Sequence, residues 1–184
     1  MSIVSRLLQR DGDAPVAETG LISIEPMRRR HVKAVLAIEK QVYPKPWTPG
    51  VFASELDQMK RGQRIYVVAL RGTTLLGYGG LMLLPDEAHV TNIAVDPALH
   101  RQGVGRRLMI HLAHEALRTG ANALSLEVRV SNAGAQEMYR QFGFVPAGIR
   151  QRYYENTEDA IVMWAHDIDS PEYMVRLRAL EAGL

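Results

Sequence analysis

Three groups of residues have types and spacings that could do chemistry. The first is the run His100-Arg101-Gln102-Gly103-Val104-Gly105-Arg106, a two-glycine turn between an apolar strand, 90–95, and an amphipathic helix. Such a turn leaves backbone N–H groups unpaired at the helix start, where the helix dipole also favours negative charge, so it suits a phosphate or pyrophosphate. Arg101 and Arg106 add positive charge beside it. A P-loop needs Gly-Lys-Ser/Thr and a dinucleotide fingerprint needs a third small residue, but Arg106, Arg107 and Leu108 stand in those places. A tight helix start without a ligand is the alternative. The second group centres on Glu127, a carboxylate on the polar side of an otherwise apolar strand. Facing a cleft it would be a general base, and facing solvent it would be a partner for Arg129. The third is Tyr139, twelve residues on in a short helix. A phenol with a pKa of about 10 can give a proton to a leaving group, and the same position also suits core packing.

The elements that must hold these groups follow from periodicity. Residues 1–20 mix Asp, Gly, Pro, Ala and Glu without a period and read as a mobile leader. A first strand over Leu21, Ile22 and Ile24 stops at Pro26; Val32, Val35, Leu36 and Ile38 then recur at helical spacing up to Pro44. Thr48-Pro49 reads as N-cap and first position of a second helix reaching about Lys60. Strands over 64–70 and 74–84 flank the hairpin turn Arg71-Gly72-Thr73, and Gly77, Gly79 and Gly80 suggest a bulge or a close backbone approach. A run over 87–96 leads to the glycine turn and its helix, in which Leu108, Met109, Leu112, Ala113, Ala116 and Leu117 share a face before Gly120. Over 124–130, Leu124, Leu126, Val128 and Val130 alternate with Ser125, Glu127 and Arg129. Asn132 can cap a helix closed by Gly143; strands over 144–154 and 159–168 follow, and the tail after Pro171 is helical and polar. The order β-α-α-β-β-β-α-β-α-β-β implies an α/β fold: one mixed sheet with helices packed on it, spanning 21–168, with a leader before and a helical tail, 169–184, after.

Composition removes several function classes. A chain of 184 residues that is 47% hydrophobic can bury a core without disulfides or a structural metal. The absence of cysteine excludes disulfides, Cys-based zinc sites, iron–sulfur clusters and any covalent acyl-Cys intermediate. With 22 basic against 20 acidic residues the formal charge of +2 gives no nucleic-acid footprint. The longest apolar stretch, 75–84, is too short to span a bilayer, and MSIVSRLLQR has no secretory h-region, so the expectation is a soluble, cytoplasmic protein. His111 and His114 are spaced H-x-x-H-E rather than H-E-x-x-H and read as surface or packing residues, not metal ligands. No G-x-S-x-G elbow is present.

Taken together, Asn92-Ile93-Ala94-Val95-Asp96-Pro97 followed by Arg101-Gln102-Gly103-Val104-Gly105-Arg106 resembles the acetyl-CoA motif of the GNAT superfamily of N-acetyltransferases, Gln/Arg-x-x-Gly-x-Gly/Ala, with His100 in place of its first residue. Further pieces resemble the bacterial ribosomal-protein alanine N-acetyltransferases, the RimI group: Ile38-Glu39, Pro46-Trp47, Asp86-Glu87-Ala88, Leu126-Glu127-Val128-Arg129, Ser131-Asn132-Ala133, Tyr139, Gly143-Phe144, Arg152-Tyr153-Tyr154 and Glu158-Asp159-Ala160. The resemblance runs from about Ile22 to Ala165. It implies a mostly antiparallel sheet splayed at an acetyl-CoA site, with backbone groups of Ile93, Ala94 and Val95, the turn Arg101 to Arg106 (Arg101, Gln102, Gly103, Val104, Gly105, Arg106) and Asn132 holding the cofactor. It implies Glu127 as base and Tyr139 as acid in direct attack by an amine, with Glu87 and His89 as alternate bases. It also places Glu39, Trp47, Tyr153 and Tyr154 along a peptide groove, where Glu39 would meet basic substrate residues. The implied substrate is the N-terminal alanine of a small-subunit ribosomal protein, and the implied state is monomeric or weakly associating. A lysine or small-amine acetyltransferase and a non-catalytic CoA-binding module are the alternatives.

Overall fold

The computed structural model describes residues 20–184, so the expected leader lies outside the described residues except for Gly20. Twelve principal elements follow in order: β1 (Ile22–Pro26), α1 (Val32–Val42), α2 (Pro49–Lys60), β2 (Arg64–Arg71), β3 (Thr74–Leu83), β4 (Glu87–Val95), α3 (Val104–Arg118), β5 (Ala123–Arg129), α4 (Ala133–Gln141), β6 (Val145–Tyr154), β7 (Glu158–Ala165) and α5 (Pro171–Ala182). The strands form one sheet in the order β1-β2-β3-β4-β5-β7-β6, antiparallel throughout except where β4 meets β5.

Local chemistry sets the element ends where the sequence pattern places them. The Thr48 hydroxyl accepts from the Val51 N–H at the start of α2, with Pro49 in the first turn. The Asn132 carboxamide accepts from the Ala135 N–H at the start of α4. Along β2 the side chains divide by parity. Val67 and Ala69 enter a core shared with α3, α4 and α5, whereas Tyr66, Val68 and Leu70 enter a second core under α1 and α2. The centre of the sheet is thus buried on both faces, in a helix–sheet–helix sandwich. Two expectations shift. The last strand ends at Ala165 rather than Ile168, because the Ile168 N–H is spent on the Asn122 carbonyl while its side chain is buried from an otherwise exposed turn. The helical tail is not wholly polar: Tyr173 and Leu177 are buried in the main core.

The feature that positions the site is a gap in the sheet. β4 and β5 pair only from Glu87–Val90 against Ala123–Leu126; beyond that β4 follows β3 and β5 follows β7. The divergence coincides with an irregularity opposite Gly80 and Leu81, where Thr91 is the unmatched residue of β4. Thr91 is held there by its hydroxyl, 3.1 Å from that of Tyr66. Gly80 is required beneath that tyrosine, since a Cβ would lie 2.2 Å from the ring.

Candidate active site

Two clefts open on either side of this gap and meet inside it. The first, of about 790 Å³, runs from the gap to the glycine turn and is lined by Ile93, Ala94, Val95, His100 and the whole Arg101–Arg107 segment, with Asn132, Met138 and Tyr139 opposite. Gly103 has φ +75, a conformation that costs an L side chain, and as the residue before α3 it carries no capping side chain. The N–H groups of the first turn of α3 therefore face the cleft without helical partners, the first bond into the helix being Arg107 N–H to the Gly103 carbonyl. Arg106 crosses to the Gln141 side chain at 2.7 Å, and Gln102 accepts from Arg71 at 3.4 Å. Ile93, Ala94 and Val95 pair with Gly79, Tyr78 and Gly77 of β3; the Asp96 N–H to Leu76 carbonyl bond sets the alternation, so Ala94 bonds to Tyr78 while the backbone groups of Ile93 and Val95 face the gap, where the Tyr43 hydroxyl donates to the Ile93 carbonyl at 3.5 Å. Free donors, guanidinium charge and apolar walls from Leu99, Val104 and Met138 fit a long ligand with a pyrophosphate at one end.

The second cleft, of about 540 Å³, lies on the other side and is built from side chains. Glu127 projects into it from β5 with its side chain only 7% exposed, one oxygen 3.0 Å from His89 Nε2 and the other 2.9 Å from Arg150. The hydrogen bond with His89 outweighs the effect of burial, and His89 and Arg150 charge adds to it, so the carboxyl is held below the ordinary carboxylate range. On its other nitrogen His89 meets the Ser125 hydroxyl at 2.7 Å, and Ser125 donates to Glu87. Arg129 lies 4.1 Å over the Tyr154 ring and binds Glu155 and Glu158, each at 2.8 Å. Bonds from the Ser131 hydroxyl, Arg129 and the Ser131 N–H pull the Glu158 carboxyl down to about 2. Tyr154 donates to the Glu127 carbonyl at 3.0 Å, so the turn between β6 and β7 is fastened to the end of β5 beside the site.

Tyr139, Asn132, Ile93, Ala135 and Val42 line both clefts. Tyr139 is 8% exposed and packs 5.7 Å from Phe144, so the packing and cleft-facing positions coincide. Burial pushes its phenol well above the usual value, which keeps the proton on it.

The other residues expected along a peptide groove, Glu39, Trp47, Tyr153 and Tyr154, all line the second cleft. Glu39 is 1% exposed; its carboxylate accepts from the Trp47 N–H at 2.7 Å and from the Tyr78 hydroxyl. Its charge is thus engaged in fixing the segment after α1 rather than free to meet a basic substrate residue. Trp47 lines the second cleft while packing on Phe52 at 5.3 Å and Tyr66 at 6.3 Å. Tyr153 is 47% exposed at the rim, with Arg150 5.4 Å from its ring. His111 and His114 lie on the outer side of α3 near Glu115 and Glu181, and no metal-holding group of three or more His, Asp or Glu occurs among the described residues. Ser125 and Arg150 are the members of the Glu127 cluster that the sequence pattern did not single out. Parity places Ser125 on the Glu127 side of its strand, but the pairing of β5 with β4 and the reach of Arg150 from β6 carry no sequence signal.

Comparison with known proteins adds an independent line. The model of the Acetyltransferase (GNAT) family matches residues 32–144. The [Ribosomal protein bS18]-alanine N-acetyltransferase of Escherichia coli is 37% identical over 145 residues, covering 77% of this chain and 95% of its own length. The N-alpha-acetyltransferase RimI of Mycobacterium tuberculosis is 38% identical over 144 residues, covering 75% of this chain and 87% of its own. The crystal structure of the Escherichia coli ribosomal-protein-S18-alanine N-acetyltransferase superposes with a TM-score of 0.72 at 33% identity, over 80% of this chain and 94% of that one. Among the described residues no helix is long and apolar enough to cross a membrane.

Proposed function

The chain belongs to the GNAT acetyltransferase family, acetyl-CoA-dependent N-acetyltransferases, and from that premise we propose that it acetylates the α-amine of an N-terminal alanine on a small-subunit ribosomal protein, bS18 being the substrate named for its relatives. Acetyl-CoA supplies an acetyl group activated as a thioester. The observation that carries the reading is the meeting of a backbone-lined cleft and a charge-lined cleft at Tyr139.

In this assignment the first turn of α3, with Arg101 and Arg106, would hold the cofactor's pyrophosphate, and the gap-facing edge of β4 along Ile93, Ala94 and Val95 would hold its arm and the acetyl oxygen. Asn132 caps α4 through its carboxamide oxygen and lines the same cleft. The peptide enters between Trp47 and the Tyr153–Tyr154 pair, with its amine at Glu127. An α-amine has a pKa of about 8, so most of it arrives as the ammonium and must lose a proton before it attacks. Glu127, ionised and nearly buried, attracts that ammonium and receives its proton. Tyr139, whose proton is retained by burial, donates it to the departing thiolate. A ribosomal substrate sets the reaction in the cytoplasm.

Mass spectrometry of two peptides incubated with enzyme and acetyl-CoA tests this reading: one begins Ala-Arg, the other has a blocked N-terminus and an internal lysine. Acetylation of the first alone is expected. Acetylation of the second would transfer the assignment to side-chain amines, and acetylation of neither would point to a small amine or a non-catalytic CoA-binding role.

A further inference from the structure

Glu127 is one end of a continuous line of polar groups that leaves the acceptor cleft. It meets His89 Nε2 at 3.0 Å; His89 Nδ1 meets the Ser125 hydroxyl at 2.7 Å; and Ser125 donates to Glu87. The line exists because β4 and β5 are parallel and in register here, with His89 opposite Ser125, so that Glu87 and His89 share a sheet face with Ser125 and Glu127. His89 and Ser125 are largely buried, while Glu87 is half-buried directly after the exposed turn Leu84-Pro85-Asp86. One end of the line therefore faces the reacting amine and the other faces water.

Counting hydrogens shows what the line can carry. Its three contacts each need a donor, and both ends are carboxylates, which only accept when ionised. Ser125 supplies one hydrogen and a neutral imidazole one more. A fully bonded line therefore holds one proton beyond that inventory, with both ring nitrogens of His89 protonated or one carboxyl protonated. Without that proton one contact is empty: in the Nε2–H form of His89, which bonds to Glu127 and holds it low, the empty contact lies between Ser125 and Glu87, and in the Nδ1–H form, which bonds to Ser125 as Ser125 bonds to Glu87, it is the Glu127···Nε2 contact.

We propose that Glu127, His89, Ser125 and Glu87 form a proton relay that carries the substrate amine's proton from the acceptor cleft to the surface beside Leu84-Pro85-Asp86. The proposal rests on the assignment of Glu127 as base. The ammonium's proton passes to Glu127 and fills the empty contact to His89 Nε2; the Nδ1 proton passes to Ser125 Oγ as the Ser125 proton passes to Glu87, which releases it to water. The imidazole, one-fifth exposed, regains its starting tautomer by exchange with water. Overall an ammonium and a thioester become an amide, a thiol and one proton. The amine's second N–H proton replaces the one Tyr139 gives to the thiolate, and the first leaves through the relay. Arg150, on the remaining Glu127 oxygen, holds the carboxylate in line without being part of it.

The test is the single-turnover acetylation rate of an Ala-Arg peptide by Ser125→Ala, Glu87→Gln, the double variant and Glu127→Gln, each shown to fold and to bind acetyl-CoA as the unchanged protein does. Each single relay variant is expected to be slowed about tenfold, a part of the whole general-base contribution of about 10²–10⁴-fold. The double variant is expected to be no slower than either single, because both block the same path, and added imidazole buffer is expected to restore all three. Glu127→Gln is expected to be slower still and not restored. Unchanged rates in Ser125→Ala and Glu87→Gln beside an impaired Glu127→Gln would overturn the relay and leave the base in place. Losses that multiply in the double variant and ignore buffer would also overturn it, as a structural effect. An unimpaired Glu127→Gln would overturn the base assignment, and the relay with it.

Discussion

The two clefts that meet at Tyr139 are built from different materials. The side assigned to acetyl-CoA is mainly backbone: the first turn of α3, the left-handed Gly103 and the gap-facing edge of β4 along Ile93 and Val95. The side assigned to the acceptor amine is mainly side chain: Glu127, His89, Arg150, Arg129 and two tyrosines converge on it from three strands and are held by one another. A backbone-built cleft tolerates side-chain changes as long as its turn keeps its shape. A side-chain cluster is sensitive at each member, because removing one leaves a nearly buried partner unsatisfied.

Substitutions that separate binding from turnover sharpen this contrast. The largest effect is expected from Glu127→Gln on the acceptor side, a fall in kcat of about 10²–10³-fold with the acetyl-CoA Kd unchanged, read by steady-state kinetics beside calorimetry. On the cofactor side, Gly103→Ala places a Cβ at φ +75, a strain of about 1–2 kcal/mol concentrated in the turn. The expected result is an acetyl-CoA Kd weakened by about tenfold with bound-state turnover near normal; a fall in turnover at unchanged affinity would erase the distinction between the sides. Arg150→Ala removes one partner of Glu127 from a half-exposed position and is expected to lower kcat by about threefold.

The acceptor side also has a pH signature. The Glu127 carboxyl is held below its ordinary range, so its folded form favours the ionised state. The stability it contributes is complete above the ordinary carboxylate pKa of about 4.3 and is lost as pH falls through its lowered value. Thermal melts of Glu127→Gln and the unchanged protein should therefore differ most near neutrality and converge in acid. For the same reason Glu127 should add no step to the rate profile between about pH 5 and 9, where the amine's own titration governs the rise.

The sequence discloses the two sides unequally. Gly103, Gly105, Arg101 and Arg106 are contiguous, and their chemistry depends only on the strand–turn–helix around them, which periodicity reveals. The helix caps at Thr48 and Asn132 are legible for the same local reason. Parity gives the polar side of β5, but whether that side meets solvent or a cleft depends on where β4 and β5 part, and this follows from the irregularity at Thr91 and the tyrosine over Gly80. Ser125 reads as an ordinary polar strand residue until β4 is laid beside it, and Arg150 as an exposed charge until β6 is placed past β7. Glu39 is the converse case: its type suggests a substrate contact and it does line the second cleft, but only the chain reversal after α1 reveals that its carboxylate also accepts from the Trp47 N–H and the Tyr78 hydroxyl.

Of the five residues that line both clefts, Tyr139 alone carries a hydroxyl that can give a proton to a leaving group. The most direct test is to measure kcat and the acetyl-CoA Kd of Tyr139→Phe, which keeps the ring against Phe144 and removes only the hydroxyl. The expected result is a fall in kcat of about 10²-fold or more with unchanged Kd and unchanged melting temperature. Turnover equal to that of the unchanged protein at saturating substrates would contradict the account and leave Tyr139 as a packing residue between two clefts.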